Sequence, residues 1–141
     1  MKYVLDSCVA FKWLVPEDLE AEALRLRDGY AHGVHELLAP DVFPTEVAHA
    51  LTRAERQQRI SVSEAAMLWQ DLMTTAPQLL PSLPLTPRAI DISSHVRLGV
   101  YDCLYVALAE REQCELVTSD EKLLKKLQKK FPIIVPLAAV P

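Results

Sequence analysis

Four carboxylates stand out along this chain for where they fall. Asp6 closes the short apolar run Tyr3-Val-Leu, and Asp120 follows Leu116-Val-Thr118 by two residues. Asp102 opens a segment that is apolar almost throughout, Cys103 to Ala109, and Glu46 lies in the first half of an amphipathic one. Acids packed together repel, and some stay protonated unless a cation joins them. Mg2+ or Mn2+ suits such hard oxygen ligands and keeps waters for substrate and nucleophile. A metal held that way can activate a water and neutralise charge on a phosphodiester. No competing chemistry has its motif here. There is no G-x-S-x-G elbow, no P-loop and no G-x-G-x-x-G, so esterase, NTPase and dinucleotide readings lack support.

Taken singly, each acid also fits a structural role. Asp6 and Asp120 suit helix N-caps after strands, and Asp102 suits a cap or the positive end of a helix dipole. Glu46 suits a solvated residue paired with Arg53 along the same helix. His49, three residues after Glu46, has a spacing seen in metal sites but equally suits an exposed residue without a role. The case for a site rests on the set.

The elements that must position these acids are readable from period and breakers. Short strands are expected at Tyr3–Leu5, Leu37–Ala39, Glu115–Thr118 and Ile133–Val135, with an edge or irregular strand in the proline-broken Leu79–Leu85. Helices are expected at Cys8–Leu14, Glu17–Ala31 and Asp41–Gln58, the last capped by Asp41 with Pro44 in its first turn. Another runs to about Ala76 behind Ser61 or Ser63, where Ser61-Val-Ser-Glu64 has capping-box spacing. Thr86 begins a helix ending near Gly99, Asp102–Glu112 should be a buried helix, and Asp120–Lys130 a last one. Apolar strands alternating with helices imply an α/β fold: a central parallel sheet of about four to five short strands flanked by helices in an α/β/α sandwich. In such sheets ligands bind outside the carboxyl ends of the strands, where Asp6 and Asp120 fall and Asp102 lies close by.

The chain has 141 residues, half of them hydrophobic, which fits one domain over residues 1–141 with one core. No apolar run approaches the ~18 residues of a membrane span, and the N-terminal apolar stretch is too short for a signal peptide, so a soluble cytoplasmic protein is expected. Cys8, Cys103 and Cys114 form no CxxC pair, which argues against a disulfide framework or zinc site. A net charge of −4 counts against a protein that simply coats nucleic acid, unless a divalent metal offsets the acids locally.

Four segments together resemble PIN domains, and among them the VapC-type toxins of bacterial toxin–antitoxin pairs. These are Tyr3-Val-Leu-Asp6-Ser7, Pro44-Thr-Glu46-Val, Tyr101-Asp102-Cys-Leu-Tyr-Val-Ala-Leu-Ala109, and Leu116-Val-Thr118-Ser-Asp120. Their order and spacing agree along nearly the whole chain. The resemblance implies a PIN-like fold and a Mg2+- or Mn2+-dependent endoribonuclease with Asp6, Glu46, Asp102 and Asp120 as metal-binding acids. It adds Ser7 and Thr118 as supporting hydroxyls that orient carboxylates or water. It also implies an RNA substrate, a small antitoxin partner and a homodimer. The motifs do not separate a toxin from a free-standing PIN nuclease in RNA processing. A receiver-like Mg-binding signalling domain would want an acidic pair near the first strand and an aspartate ending a central strand, and both are missing.

Basic residues offer two routes for a phosphate backbone. Lys122 lies just after Asp120, at the head of a lysine-rich helix that continues through Lys125, Lys126, Lys129 and Lys130; Arg53 leads Arg56 and Arg59 on the helix of Glu46. A solvated helix face explains either group equally, above all Lys129 and Lys130. Trp13, Trp69 and Met73 read as core. If an antitoxin covers the groove, the Trp13–Leu26 region and the Arg53–Trp69 helix pair are the expected contacts.

Overall fold

Continuous apolar runs, with no alternation, make the strands of this protein. The computed structural model describes residues 1–141. Strands β1 (Lys2–Leu5), β2 (Glu36–Pro40), β3 (Gln78–Leu80), β4 (Glu115–Thr118) and β5 (Ile134–Pro136) form one sheet in the order β3-β2-β1-β4-β5. Every pairing is parallel, with Val4 opposite Leu38 on one side and Leu116 on the other. Consecutive strand residues point to opposite faces, and Val4, Leu5, Leu37, Leu38, Leu116 and Val117 are all buried. Both faces are therefore covered, as parallel sheets require.

Seven helices do the covering: α1 (Ser7–Leu14), α2 (Glu20–Ala31), α3 (Phe43–Arg56), α4 (Glu64–Met73), α5 (Thr86–Val96), α6 (Val100–Glu112) and α7 (Glu121–Leu127). Every residue of α6 from Cys103 to Ala109 is buried, and the helix packs on β1, β2, β4 and α5. Its lack of a polar face follows from that position. Trp13 is buried with Nε1 donating to the Ala23 carbonyl at 2.8 Å, and the half-buried Trp69 donates to the Pro44 carbonyl at 2.9 Å. Both indoles lock helices together. No helix is long and apolar enough to cross a membrane.

Several boundaries differ from the sequence reading, each for a local reason. Asp41 does not cap α3, whose N-cap position is Val42; its carboxylate accepts the Ser82 backbone N–H at 3.2 Å and the Ser82 hydroxyl. The start of α2 moves from Glu17 to Glu20, because the buried Lys12 ammonium holds the Glu17 carboxylate at 2.9 Å and the Asp18 carbonyl at 2.7 Å. Only half of the capping box forms: Glu64 accepts the Ser61 N–H at 2.9 Å, but the N-cap Ser63 makes no side-chain cap. Helix α5 closes on Arg97 in the left-handed region (φ 56°), leaving Gly99 to start α6 ahead of Asp102. Within Leu79–Leu85 only the edge strand β3 and a 3-10 turn at Leu83–Leu85 form. Helix α7 stops at Leu127, so Lys129 and Lys130 lie beyond it.

The sheet order fixes where a ligand would sit. The chain moves outward from β1 to β2 and β3, then returns to place β4 on the opposite side of β1. The crevice above β1 and β4 is the topological switch point, where open α/β sheets bind.

Candidate functional site

All four predicted acids reach that crevice, each by a different element. Asp6 directly follows β1, with its N–H donating to the Val117 carbonyl of β4 at 3.1 Å. It precedes α1 in extended conformation, but its side chain does not cap the helix. The carboxyl is 5 % exposed and its Oδ2 accepts the Thr118 hydroxyl at 2.7 Å. Thr118 Oγ1 in turn accepts the Asp120 N–H at 3.0 Å. One fully buried hydroxyl thus ties the ends of two adjacent strands and two of the acids together.

Asp120 does cap α7. Its Oδ1 accepts the N–H groups of Lys122 at 2.9 Å and Leu123 at 3.2 Å. The structural and chemical roles are compatible, because the cap uses one oxygen and leaves Oδ2 for another partner. Asp102 is the third residue of α6, half-buried in its first turn, where the helix dipole favours an anion. Glu46 is in the first turn of α3, and its Oε1 accepts the Tyr105 hydroxyl at 2.6 Å. It forms no ion pair with Arg53, so the solvated-pair alternative for Glu46 falls away.

The electrostatics carry the sign of crowded like charges. Burial pushes Glu46 up to about 7; the Tyr105 hydrogen bond opposes the rise, and Asp6 and Asp102 add to it. Burial raises Asp102 to about 6, helped by Asp6 and Asp120 and opposed by Lys122. Asp6 is raised mainly by burial and further by Asp120, against the hydrogen bonds of Thr118 and Cys8. The Tyr105 phenol lies well above its ordinary range through burial and the neighbouring Asp6 and Glu46. Acids from four distant segments therefore feel one another. The one cation opposing the rise at Asp102 is Lys122.

The donor set fits a hard divalent cation. The site offers carboxylate and hydroxyl oxygens, and its sulfur is a protonated thiol: burial, then Asp6, pushes Cys8 up to about 12. No group of three His, Cys, Asp or Glu side chains yet converges tightly enough to hold an ion. A divalent charge among these acids would offset their repulsion. Asp6, Glu46, Asp102 and Asp120 are the residues that would hold the metal.

The other predicted residues divide. Ser7 and Glu46 share the wall of a cavity of about 700 Å3 with His49 and Tyr101. Ser7 reaches the Asp6 carboxyl through its backbone N–H and not its hydroxyl, so of the two expected hydroxyls only Thr118 bonds a carboxylate. Lys122 is exposed and electrostatically close to Asp102, beside a shallow hollow it shares with Lys125. Arg53 lies further along α3, in another hollow that shares His49 with the cavity of Ser7 and Glu46. Arg59 is committed elsewhere, bridged to Glu17 at 3.0 Å and stacked over Phe11 at 5.5 Å.

Two contributors were not singled out by the sequence. Tyr105 holds Glu46, and its place three residues after Asp102, among buried apolar neighbours, gave no polar signal. Cys8 Sγ receives the Ser119 hydroxyl at 3.3 Å and the Ser119 N–H at 3.5 Å, fixing the loop between β4 and α7. Its position next to serine and threonine hydroxyls was not visible from composition.

Comparison with known proteins places the chain in a family. VapC ribonuclease Mb0985 of Mycobacterium bovis is 31% identical over 125 residues, spanning 86% of this chain and 97% of the relative. Ribonuclease VapC1 of Mycobacterium tuberculosis is 33% identical over 125 residues, spanning 84% and 90%. Among solved structures, PAE2754 from Pyrobaculum aerophilum superposes with a TM-score of 0.70 at 19% identity, covering 98% of this chain and 93% of that one. VapBC2 from Rickettsia felis, bound to a DNA fragment from its promoter, gives 0.62 at 14% identity, covering 96% and 97%. These two establish likeness of fold. The PIN-domain family model matches residues 3–130, from the first residues of β1 to past the end of α7, and this chain belongs to the PIN-domain family.

Proposed function

We propose that this chain is a Mg2+- or Mn2+-dependent endoribonuclease and the toxin of a toxin–antitoxin pair, acting on RNA in the cytoplasm. The observation that carries the reading is the convergence of four acids from four segments on the switch point, where Asp6, Glu46 and Asp102 are raised first by burial and then by one another and by Asp120. Relatives named as ribonucleases across nearly their full length support the substrate class. One hydrophobic core joining β1 to β5 supports a single domain over residues 1–141.

Each residue then has a task. Held by the four acids, Mg2+ or Mn2+ would offset charge on the phosphodiester and polarise a water for attack on phosphorus. Thr118 keeps Asp6 aimed by donating to Oδ2, and spaces it from Asp120 through the Asp120 N–H. The α7 cap holds Asp120 Oδ1 and so fixes the direction of Oδ2. Tyr105 holds Glu46 Oε1 and leaves Oε2 free to face the metal. Lys122, close enough to act on Asp102, and Arg53, further along the helix of Glu46, attract phosphates that the acids alone repel.

A homodimer and a small antitoxin complete the proposal; the likeness of fold to VapBC2 supports the second. The test is controlled expression in a bacterial host, with 5′-end sequencing of cellular RNA. Growth arrest and new RNA 5′ ends should appear with the wild-type chain, disappear with Asp102→Asn, and be suppressed by the product of a small adjacent gene. Unchanged growth and RNA ends with wild-type protein would remove the toxin reading.

A further inference from the structure

The nine aromatic residues of the chain are used unequally. Tyr3, Tyr105, Phe11, Phe43 and Trp13 are buried. Tyr30 and Trp69 are half-buried and hydrogen-bonded to the Ala76 and Pro44 carbonyls, and Phe131 lies under the Arg88 guanidinium at 6.0 Å. Tyr101 alone offers its ring to solvent, at 60 % exposure.

Folding does not ask for an aromatic at this position. Tyr101 occupies the first turn of α6, where an exposed residue need only tolerate a helix, and tyrosine is a mediocre helix former. Its location is informative. It immediately precedes Asp102 and lines the same cavity as Glu46 and Ser7. The cavity's size is that of an ordinary small-ligand site.

We propose that Tyr101 is a base-stacking residue, holding one nucleobase of single-stranded RNA beside the carboxylates; this rests on the ribonuclease reading. An acidic site has a specific need for such a residue. Its carboxylates repel the phosphates it must bind, and Lys122 is the one cation that offsets Asp102. Stacking on an aromatic face draws in RNA without adding charge, and it tolerates any base. Only an unpaired base can present its face, so Tyr101 also selects single strands, loops and bulges over duplex. Around Tyr101 the cavity wall carries Ser7, Asp41, Thr45, Glu46 and His49, with Val42 the one aliphatic side chain, which suits a heterocycle with an apolar face and polar edges.

The experiment compares wild type, Tyr101→Ala and Tyr101→Phe in steady-state cleavage of a single-stranded RNA oligonucleotide and of the same sequence in a duplex. Tyr101→Ala should raise KM for the single strand about 5- to 150-fold, the range of base–aromatic stacking. It should leave kcat and the salt dependence of KM unchanged, because the lost contact is neither ionic nor confined to the transition state. Tyr101→Phe keeps the ring and should behave as wild type. The preference for single strand over duplex should shrink in Tyr101→Ala alone. An unaltered KM in Tyr101→Ala overturns the proposal and leaves the ring to a protein contact. Equal losses in both variants overturn it in favour of the hydroxyl. Absence of cleavage by wild type is a different failure, that of the ribonuclease reading itself.

Discussion

The metal-free protein should become less stable as pH rises from about 5 to about 7.5, the reverse of ordinary acid denaturation. Glu46 stands at about 7 against an ordinary 4.5, and Asp102 at about 6 against 3.8. Both bind their protons more tightly folded than unfolded. The native chain therefore holds extra protons between the ordinary and raised values, and loses that advantage as pH climbs through the raised ones. At about 1.4 kcal/mol per pH unit of displacement, Glu46 alone represents about 3 kcal/mol. Both carboxyls are half-buried and share one field, so water and coupling reduce the pair to a working figure of about 2–4 kcal/mol. Against a typical total of about 5–15 kcal/mol this is large, a change in melting temperature on the order of 10 °C. The assay is thermal or urea unfolding in EDTA across that range, for wild type and Glu46→Gln. His35, whose pKa burial lowers, contributes with the opposite sign in the same window, and the difference between the two proteins cancels it. The lowered pKa values of Glu110 and Glu112 act below 4.5 and stay outside. Added Mg2+ should restore stability at the high-pH end and do little at the low end, where protons compete for the ligands. Identical pH slopes in wild type and Glu46→Gln would refute the reasoning, because the substitution removes the Glu46 titration and relieves its neighbours Asp6 and Asp102, and both effects flatten the slope.

Other perturbations test the supporting shell. Tyr105→Phe removes the donor to Glu46 with little change of volume; Mn2+ affinity measured by electron paramagnetic resonance should fall about tenfold, on the lower side of what ligand-orienting partners are worth. Thr118→Val is nearly isosteric but strands the buried Asp6 carboxyl and the Asp120 N–H, and urea unfolding should report a loss of about 2–4 kcal/mol. Asp120→Asn keeps an oxygen for the α7 cap while losing the charge, so activity should collapse at nearly wild-type stability. Asp120→Ala should cost about 1 kcal/mol more than Asp120→Asn in the same unfolding assay, the worth of the cap.

The sheet and the acids at its edge were largely legible because short-range pattern decides them. Tyr3–Leu5 and Leu116–Thr118 are too short and too apolar for anything but inner parallel strands, and the residues just beyond each must emerge at the carboxyl edge. The unbroken apolar face of Cys103–Ala109 announced a buried helix. Glu46 was different: little local distinguishes it from a solvated helical acid, and its place in the set rested mostly on family resemblance. The features that were not legible are decided by partners remote in sequence or by competing local conformations. Asp41 looks like an N-cap until Ser82, brought next to it by β3, takes its carboxylate. Gly99 looks like a C-cap until Arg97 accepts the left-handed conformation and ends α5 earlier. Tyr105 reads as core and is core, yet its hydroxyl finds Glu46 from another helix. The lysine face shortened because Phe131 packs back against the core, its N–H on the Leu127 carbonyl at 2.8 Å, just before the helix-breaking Pro132.

The central claim is that four acids from four segments form one metal-dependent active site for RNA. It is tested most directly by cleavage of a single-stranded RNA by the purified chain with Mg2+ or Mn2+ and with EDTA, beside Asp6→Asn and Asp102→Asn. Cleavage should need the metal, cease in EDTA, and drop by orders of magnitude in both variants, with folded proteins throughout. Undiminished cleavage in EDTA or in either variant would contradict the claim.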